Sequence, residues 1–272
     1  MGWTAMYLRD HSSGKGGITG YNQGLNQPLA GYNGVFRFPL TSYKADIFWL
    51  GVNYFGDPLF QQGRFGYNGF SVLNLGVVDG AEKNVDVLGF ATNLRVAYKY
   101  GRTADDMVSL DGIFTTGDNN SISDGKYNGV LTGNNWTSPG AVFFSHNLYL
   151  LMAHGTVVNR YVGATIDIQN LGYGLTAGVL AASKDIIPNK FRIKSAIGFG
   201  KATKVPAPWG NYMGTEVNLN VLYRPKVFLD LELHAAYLKL GGYYDNPSVN
   251  GGRSTRPDDP WTMFATLKWI LF

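Results

Sequence analysis

The chain has 272 residues, of which 45% are hydrophobic, 14% aromatic and only 15% charged, with 36 glycines. Since about a quarter of the residues in an average soluble domain are charged, this composition disfavours a solvated helical enzyme and favours strands, turns and an apolar outer surface. The absence of cysteine excludes disulfides, thiol catalysis and thiolate metal sites. The net charge of +4 comes from scattered basic residues, which disfavours nucleic acid as a partner.

No run of 18 or more apolar residues occurs, so the sequence predicts no transmembrane helix. The N-terminal sequence MGWTAMYLRD also lacks the basic and apolar regions of a signal peptide. If the protein is exported, its signal has been removed, and Met1 is an added initiator or an internal methionine of a longer chain.

Alternating strands, separated by loops rich in Gly, Asn, Asp and Pro, are predicted along the chain. A first strand is expected at about residues 3–8, and a second carries an apolar stripe. That stripe comprises Phe48, Leu50, Val52 and Tyr54. Each stripe has a period of two, as expected for a strand with one apolar and one polar face.

The clearest predicted strand covers residues 87–100. One face has Leu88, Phe90, Leu94, Val96, Tyr98 and Tyr100, and the other has Gly89, Ala91, Asn93, Arg95, Ala97 and Lys99. A tight turn at 101–105 leads to a second strand at 107–115, where Val108, Leu110 and Phe114 alternate with Ser109, Asp111 and Thr115. The pair therefore predicts a hairpin.

Three later strands repeat the pattern. The apolar stripes are Phe191, Ile193, Ile197 and Phe199, then Val217, Leu219, Val221 and Tyr223, then Leu229, Leu231, Leu233 and Tyr237. Facing away from them are Lys190, Arg192 and Lys194, then Glu216, Asn218 and Asn220, then Asp230, Glu232 and His234. The stretch 141–168 is ambiguous between a hairpin and a loop folded into a lumen, so ten or twelve strands are expected.

Periodicity alone does not separate a soluble sandwich, whose apolar face is a core, from a membrane barrel, whose apolar face meets lipid. Strands of about 10 to 14 residues favour the barrel. So do aromatic residues at strand ends, which resemble interface girdles, although aromatic residues also favour strands in general. These are Tyr43, Tyr54, Phe65, Tyr67, Tyr98, Tyr100, Tyr223, Tyr237, Trp261 and Trp269.

The connections also alternate in length. Because successive strands run in opposite directions, every long loop falls on one side of the sheet. Long loops are expected at 10–43, 117–140, 203–213 and 241–259, and short turns at 56–63, 101–105, 185–189 and 224–226. We therefore predict an all-β fold: a closed antiparallel transmembrane β-barrel of 10–12 strands with long extracellular loops and short periplasmic turns. Residues 1–272 form this single domain, or the C-terminal part of a larger barrel.

The segments DGIFTTGDNNSISDGKYNG, NLGYGLTAG, DIIPNKF, MGTEVNLNVLYRP and LHAAYLKLGGYYD, in the stretch 108–241 and just beyond it, resemble alginate-export-like and porin-like outer-membrane proteins of Gram-negative bacteria. The terminal Phe272 of WTMFATLKWILF is similar to the assembly signal of such barrels, although the alternation ahead of it is off by one residue. The resemblance implies a bacterial outer-membrane location. It also implies contact with membrane lipid, lipopolysaccharide and the barrel-assembly machinery, and a channel for small or anionic solutes such as an acidic polysaccharide.

Polar residues on the lumen-facing stripes are the candidate site, because rings of charge set the ion preference of a pore. The predicted pore-lining residues are Asn93, Arg95, Lys99, Asp111, Lys190, Arg192, Lys194, Glu216, Asp230, Glu232 and His234. The alternative is that they form structural ion pairs filling a narrow barrel. Passive diffusion requires no cofactor, and none is expected.

Other functions are weaker predictions. A barrel with a plugged lumen would serve as a scaffold for a partner protein or a homo-oligomer. An outer-membrane hydrolase would use His234, but no serine on a neighbouring strand pairs with it obviously. The loop Asp118–Asp124 has oxygen ligands for calcium but lacks the spacing of a calcium loop, so no metal site is predicted.

Overall fold

A computed structural model of the chain describes residues 1–13, 17–18, 21–22, 38–103, 105–131, 148–151 and 170–269. These residues form an all-β fold with ten strands of nine to 16 residues. The long strands are β1 (Gly2–Asp10), β4 (Tyr43–Gly56), β5 (Phe65–Gly80), β6 (Asn84–Lys99), β7 (Met107–Thr115), β9 (Thr176–Ile187), β10 (Phe191–Lys201), β11 (Tyr212–Lys226), β12 (Leu229–Leu240) and β13 (Trp261–Trp269). The described residues contain no helix with the length and hydropathy needed to cross a membrane.

The long strands form one sheet in which each strand is antiparallel to its neighbours, in the order β1-β4-β5-β6-β7-β9-β10-β11-β12-β13. Two short strands, β2 (Gly17–Ile18) and β3 (Tyr21–Asn22), pair with each other. A third, β8 (Lys126–Tyr127), pairs in parallel with β6 at Asp86 and Val87. Because β7 pairs with β6 only from Ala91 onwards, β8 occupies the position beside β6 that β7 leaves free.

The connections define two ends of the sheet. The long-loop end has the connections 11–42, 116–175, 202–211 and 241–260, and the short-turn end has 57–64, 100–106, 188–190 and 227–228. The predicted alternation is confirmed with three corrections. The turn predicted at 185–189 is 188–190, because residues 185–187 end β9. The turn 81–83 is short but lies at the long-loop end. The last hairpin turn is 227–228 rather than 224–226, because residues 224–226 continue β11 beyond a register shift.

Ten long strands, and not twelve, make up the described sheet. The two extra strands were predicted within 141–168, of which only 148–151 lie inside the described residues, and those four residues form no strand. Moreover, β7 pairs directly with β9, from Met107 opposite Ser183 to Phe114 opposite Thr176. Two further strands therefore have no place between β7 and β9.

The two faces of the sheet differ in character, as the period of two predicts. On the outer face, large apolar side chains in the middle of the strands remain between 38% and 63% exposed. They include Leu50, Leu88, Leu94, Val96, Leu110, Leu180, Ile197, Val217, Leu219, Leu231, Leu233, Met263 and Leu267. The inner face has the buried apolar core together with buried Asn, Asp and Glu side chains.

Aromatic side chains on the outer face lie near both ends of the strands. Trp3, Phe65, Tyr67, Tyr223 and Trp269 lie towards the short-turn end, and Phe114, Phe199, Tyr212, Tyr237 and Trp261 lie towards the long-loop end. Tyr43 was predicted to belong to this set, and that prediction is wrong. It is 3% exposed and contacts Phe38 on the inner face, because it shares the parity of the buried residues Ala45 and Ile47.

The buried core fills the inner face towards the long-loop end. Trp49 Nε1 donates a hydrogen bond of 2.7 Å to the carbonyl oxygen of Leu131, whose backbone N–H donates to Asn74 Oδ1 at 3.0 Å. Tyr243 is also buried, and its hydroxyl donates to Asn170 Oδ1 at 2.8 Å. The first two contacts fix part of the connection 116–175 against the sheet, and the third joins that connection to 241–260, so the inner face is covered there.

Asp259 fixes the end of the connection 241–260 to β12. Its carboxylate accepts hydrogen bonds from Lys239 Nζ at 2.7 Å, Leu240 N at 2.8 Å and Tyr237 OH at 3.0 Å. The hydrogen bonds from Lys239 and from the Leu240 backbone lower the pKa of Asp259 to about 2. The carboxylate therefore stays ionised at every pH well above that value.

The two edges of the sheet are β1 and β13. Among the described residues, β1 pairs only with β4, and β13 pairs only with β12. The structure therefore establishes an antiparallel sheet whose strands and faces match the predicted barrel wall, but without observed pairing between the two edges.

Candidate functional site

Part of the connection 116–175 lies against the inner face of the sheet. We call residues 148–151 the inner segment. Its backbone N–H groups converge on one carboxylate: Tyr149 N donates to Glu216 Oε1 at 2.6 Å, and Leu150 N and Leu151 N donate to Oε2 at 2.8 and 2.7 Å. Asn218 Nδ2 adds a fourth hydrogen bond, to Oε1, at 3.0 Å. The fully buried Glu216 is thus satisfied by charge-assisted hydrogen bonds.

Two glycines of β10 make room for the inner segment. A Cβ atom at Gly198 would lie 2.8 Å from Leu148 Cδ1, and one at Gly200 would lie 3.3 Å from Leu151 Cδ2. Both leucines are fully buried. The inner face of β10 therefore has a groove without side chains, into which these two leucines pack.

His234 links the inner segment to β11 and β12. Its Nδ1 atom lies 3.2 Å from Tyr149 OH and 3.1 Å from Asn220 Nδ2, and its ring stacks on Phe264 with centroids 4.4 Å apart. Asn220 Nδ2 also donates to Glu232 Oε2 at 3.0 Å. These contacts describe a packed polar cluster. Among the described residues, no serine oxygen hydrogen-bonds to His234.

A basic cluster lies on the inner face nearer the short-turn end. We define it as Arg95 on β6 and Arg192 and Lys194 on β10, with Asp105 and Asp111 as its counter-charges. Arg192 Nη1 binds Asp105 Oδ1 at 2.9 Å, and Arg95 Nε lies 3.8 Å from Asp111 Oδ1. Lys194 interacts electrostatically with all four other charges. Three cations against two carboxylates leave the cluster positive.

The basic cluster is only partly covered. The side chains of Arg95 and Arg192 are 29% and 21% exposed, whereas Asp111 is fully buried. Arg95 also borders a cleft of about 270 Å³ with Asn68, Phe60 and Met107 in its lining. The Asp105 side chain is 44% exposed, so two cationic side chains and one carboxylate reach the open part of the inner surface, whereas Asp111 does not.

Two further ion pairs lie close to the short-turn end on β11 to β13. Arg224 binds Asp230 through two hydrogen bonds, Nε to Oδ1 at 2.5 Å and Nη2 to Oδ2 at 3.0 Å. Lys268 Nζ lies 3.9 Å from Glu232 Oε1. Asp230 and Glu232 are therefore neutralised by neighbours on their own sheet, which supports the structural interpretation of these two residues.

Ten of the eleven predicted lining residues share the inner face, as their parity predicts. Asn93 donates from Nδ2 to the Gly112 carbonyl oxygen at 2.8 Å, and Lys99 lies on the last position of β6. Lys190 is the exception. It lies in the turn 188–190 and is exposed, because β10 begins only at Phe191. Whether the other ten line a pore stays a prediction, and Phe272 lies outside the described residues.

The candidate calcium loop is satisfied by its own chain. Asp118 Oδ1 accepts from Asn120 N at 3.0 Å, and Asp118 Oδ2 accepts from Asn128 N at 3.0 Å. Among the described residues, no group of three or more His, Asp or Glu side chains is arranged to hold a metal ion. The hydrogen bonds of Asp118 to nearby backbone N–H groups are those expected of a turn.

Several site residues are not evident from the sequence. Tyr149 and Phe264 were not predicted as site residues, because 141–168 gave no clear pattern and Phe264 belongs to the terminal strand. Asn218 and Asn220 do alternate with Glu216, and that alternation is the signal that places them on the same polar face.

No model of a known protein family matches this sequence, and no curated protein is significantly similar to it. The resemblance to alginate-export-like barrels therefore stays a prediction based on short motifs.

Proposed function

We propose that the protein is a β-barrel of the bacterial outer membrane that passes small anionic solutes by passive diffusion. The observation that supports a membrane location is the apolar outer face. Soluble monomers rarely expose contiguous apolar patches larger than a few hundred Å², whereas exposed leucines, valines and aromatic residues here extend across β4 to β13. Lipid would cover this face, while lipopolysaccharide would contact its long-loop rim.

The spacing of the outer aromatic residues fits a membrane. Tyr212 and Tyr223, both on the outer face, lie near opposite ends of β11. At about 3.3 Å per residue and a tilt of about 45°, they would be roughly 25 Å apart along the membrane normal. That is the height of the apolar band between the aromatic girdles of outer-membrane barrels.

The proposed barrel closes through β1 and β13. Ten strands alternate in direction, so β1 runs from the short-turn end and β13 runs towards it, which makes the two edges antiparallel. Open edges would leave backbone groups unpaired in hydrocarbon. We therefore expect Ala5→Cys to form a disulfide with one of Met263→Cys, Ala265→Cys or Leu267→Cys.

This cross-link is measured as a shift in electrophoretic mobility of oxidised protein in lipid vesicles. The chain has no cysteine of its own, so the background is clean. Ala5→Cys paired with Leu110→Cys, which lies in the middle of the sheet order, is the matched negative control. Failure of all three pairs, in folded protein, would contradict closure and favour edges that pair with other strands.

The charge distribution supports an anion-conducting pathway. The inner segment and the core cover the inner face towards the long-loop end, whereas the side chains of Arg95 and Arg192 stay partly exposed nearer the short-turn end. A positive constriction lowers the energy of an anion and raises that of a cation. The proposed solutes are therefore small and anionic, and a uronic-acid polymer would need the inner segment to move.

Single-channel recording of purified protein in a planar bilayer tests the proposal. We expect stable conductance steps and a reversal potential, in a salt gradient, that reports preference for anions. The control is protein that has been heat-denatured in the same detergent, since a folded barrel is the proposed conductor. Folded protein that never conducts would overturn the channel.

A second candidate is a plugged scaffold. The observation that favours it is the burial of Leu148, Glu216 and Leu151, which leaves no exposed surface where the inner segment meets β10 and β11. In that case the barrel would anchor a partner or a second copy of the chain. Absence of conductance together with successful cross-linking of β1 to β13 would select this function.

A further inference from the structure

We propose that Glu216 is the positioning residue that holds the inner segment against the wall and thereby limits the cross-section available to solutes. The inference rests on the proposed channel, but the anchor itself is measurable without conductance. Glu216 is the single side chain on which the backbone N–H groups of Tyr149, Leu150 and Leu151 converge. No other described residue accepts hydrogen bonds from all three.

The chemistry of this contact requires a carboxylate. Glu216 Oε2 accepts two N–H groups, from Leu150 and Leu151, and Oε1 accepts one from Tyr149 and one from Asn218. A glutamine has one oxygen and one NH2 group, so in either orientation its NH2 would face N–H donors. The substitution Glu216→Gln therefore keeps the side-chain size and removes the attraction on one side of the contact.

The packing beside Glu216 is specific for the inner segment. Leu148 and Leu151 lie in the groove that Gly198 and Gly200 leave open on β10. Tyr149 reaches β12 by its hydroxyl contact with His234. The adjacent strands β10, β11 and β12 thus hold the inner segment, with the Glu216 carboxylate at the centre of the contact. The segment narrows the interior as long as its N–H groups are bound to Glu216.

A thiol-labelling experiment tests the anchor. Leu150→Cys, which places a partly buried cysteine in an otherwise cysteine-free chain, is treated with a charged maleimide in folded, vesicle-inserted protein. Adding Glu216→Gln should raise the labelling rate by about tenfold or more, because charge-assisted hydrogen bonds to a buried carboxylate are each worth at least a factor of ten. The control Asp230→Asn removes the same charge from a carboxylate bound to Arg224 and should leave the rate unchanged.

The same variants test whether the inner segment limits the cross-section that is open to solutes. Swelling of liposomes in neutral sugars of increasing size should show a larger exclusion limit for Glu216→Gln than for the unsubstituted chain or Asp230→Asn. Glu216→Asp, which restores the carboxylate, should recover part of the original limit. A second route to release is Gly198→Val, whose side chain would occupy the place of Leu148 while leaving Glu216 intact.

The outcomes separate the two parts of the inference, which are the Glu216 anchor and the limit on the solute cross-section. Unchanged labelling in folded Glu216→Gln, or in folded Glu216→Asp if the first variant does not fold, overturns the anchor, because the shorter carboxylate should also loosen the contact. Faster labelling with a larger exclusion limit supports the whole inference. Faster labelling without passage of any sugar or ion, in every variant, supports the anchor but overturns both the cross-section and the channel, which leaves the plugged scaffold.

Discussion

Replacing Leu219 by arginine should lower the free energy of unfolding in phospholipid vesicles by about 2–4 kcal/mol, the cost of arginine on the lipid face at the bilayer midplane. Leu219 lies at the centre of β11 and is 43% exposed on the outer face. Its cross-strand neighbours are Ser195 and Ala235, neither of which carries a compensating acidic group. The guanidinium would therefore face hydrocarbon without a partner.

The measurement is a denaturant titration of the folded, vesicle-inserted protein, followed by tryptophan fluorescence. Val227→Arg is the matched control, because Val227 is 89% exposed in the hairpin turn 227–228, outside the strands. That variant should change stability by less than about 0.5 kcal/mol, as surface substitutions usually do. Equal, small effects at both positions would mean that the outer face meets water, and the membrane proposal would fail.

Residue parity accounts for what the sequence predicts well. On β6 the alternation of Leu94 and Val96 with Arg95 and Ala97 fixes which side chains face inwards, because a strand with two unlike faces has one favourable orientation. The same logic places Glu216 inwards beside the outward Val217. The bounds of β7, Met107–Thr115, also coincide with the predicted strand, since Gly and Asp residues end the pattern sharply on either side.

What the sequence predicts poorly depends on contacts between distant parts of the chain. Nothing local in residues 148–151 indicates that their N–H groups bind a carboxylate 65 residues or more further on. Tyr43 is an aromatic residue at a strand end, as girdle residues are, yet it lies on the same face of β4 as Ala45 and is therefore buried. Lys190 belongs to the polar stripe by spacing, but it lies in the turn 188–190, just before β10 begins. A tertiary contact or a turn overrides the local pattern in residues 148–151 and at Lys190, whereas the parity that buries Tyr43 is present in the sequence itself.

The double substitution Arg95→Gln with Lys194→Gln should abolish the anion preference of the channel. It removes two of the three cations from the basic cluster and leaves Arg192 paired with Asp105 at 2.9 Å. Asp111 is fully buried, so the double variant leaves no unpaired exposed charge in the cluster. At contact distance and the effective dielectric of a wet protein surface, a unit charge contributes about 1–4 kcal/mol to the energy of a passing ion. The anion-to-cation permeability ratio should therefore fall by about tenfold or more, to near unity.

The measurement is the reversal potential in a potassium chloride gradient at low ionic strength. Lys190→Gln with Lys226→Gln is the matched control, because it removes the same two charges from exposed positions at the short-turn end. Rim charges lie in water, so they are screened and should shift the reversal potential only slightly. An equal shift in both double variants would mean that net charge, and not the basic cluster, determines selectivity.

A third variant separates selectivity from stability. Removing Arg95 and Lys194 leaves the buried Asp111 without its nearest cations, which is destabilising in itself. Adding Asp111→Asn removes that charge and should restore the stability of the sheet, measured by the same vesicle titration. Because the remaining Arg192 is neutralised by Asp105, the triple variant should conduct with almost no preference between anions and cations. Retained anion preference in this variant would place the selective charges elsewhere on the inner wall.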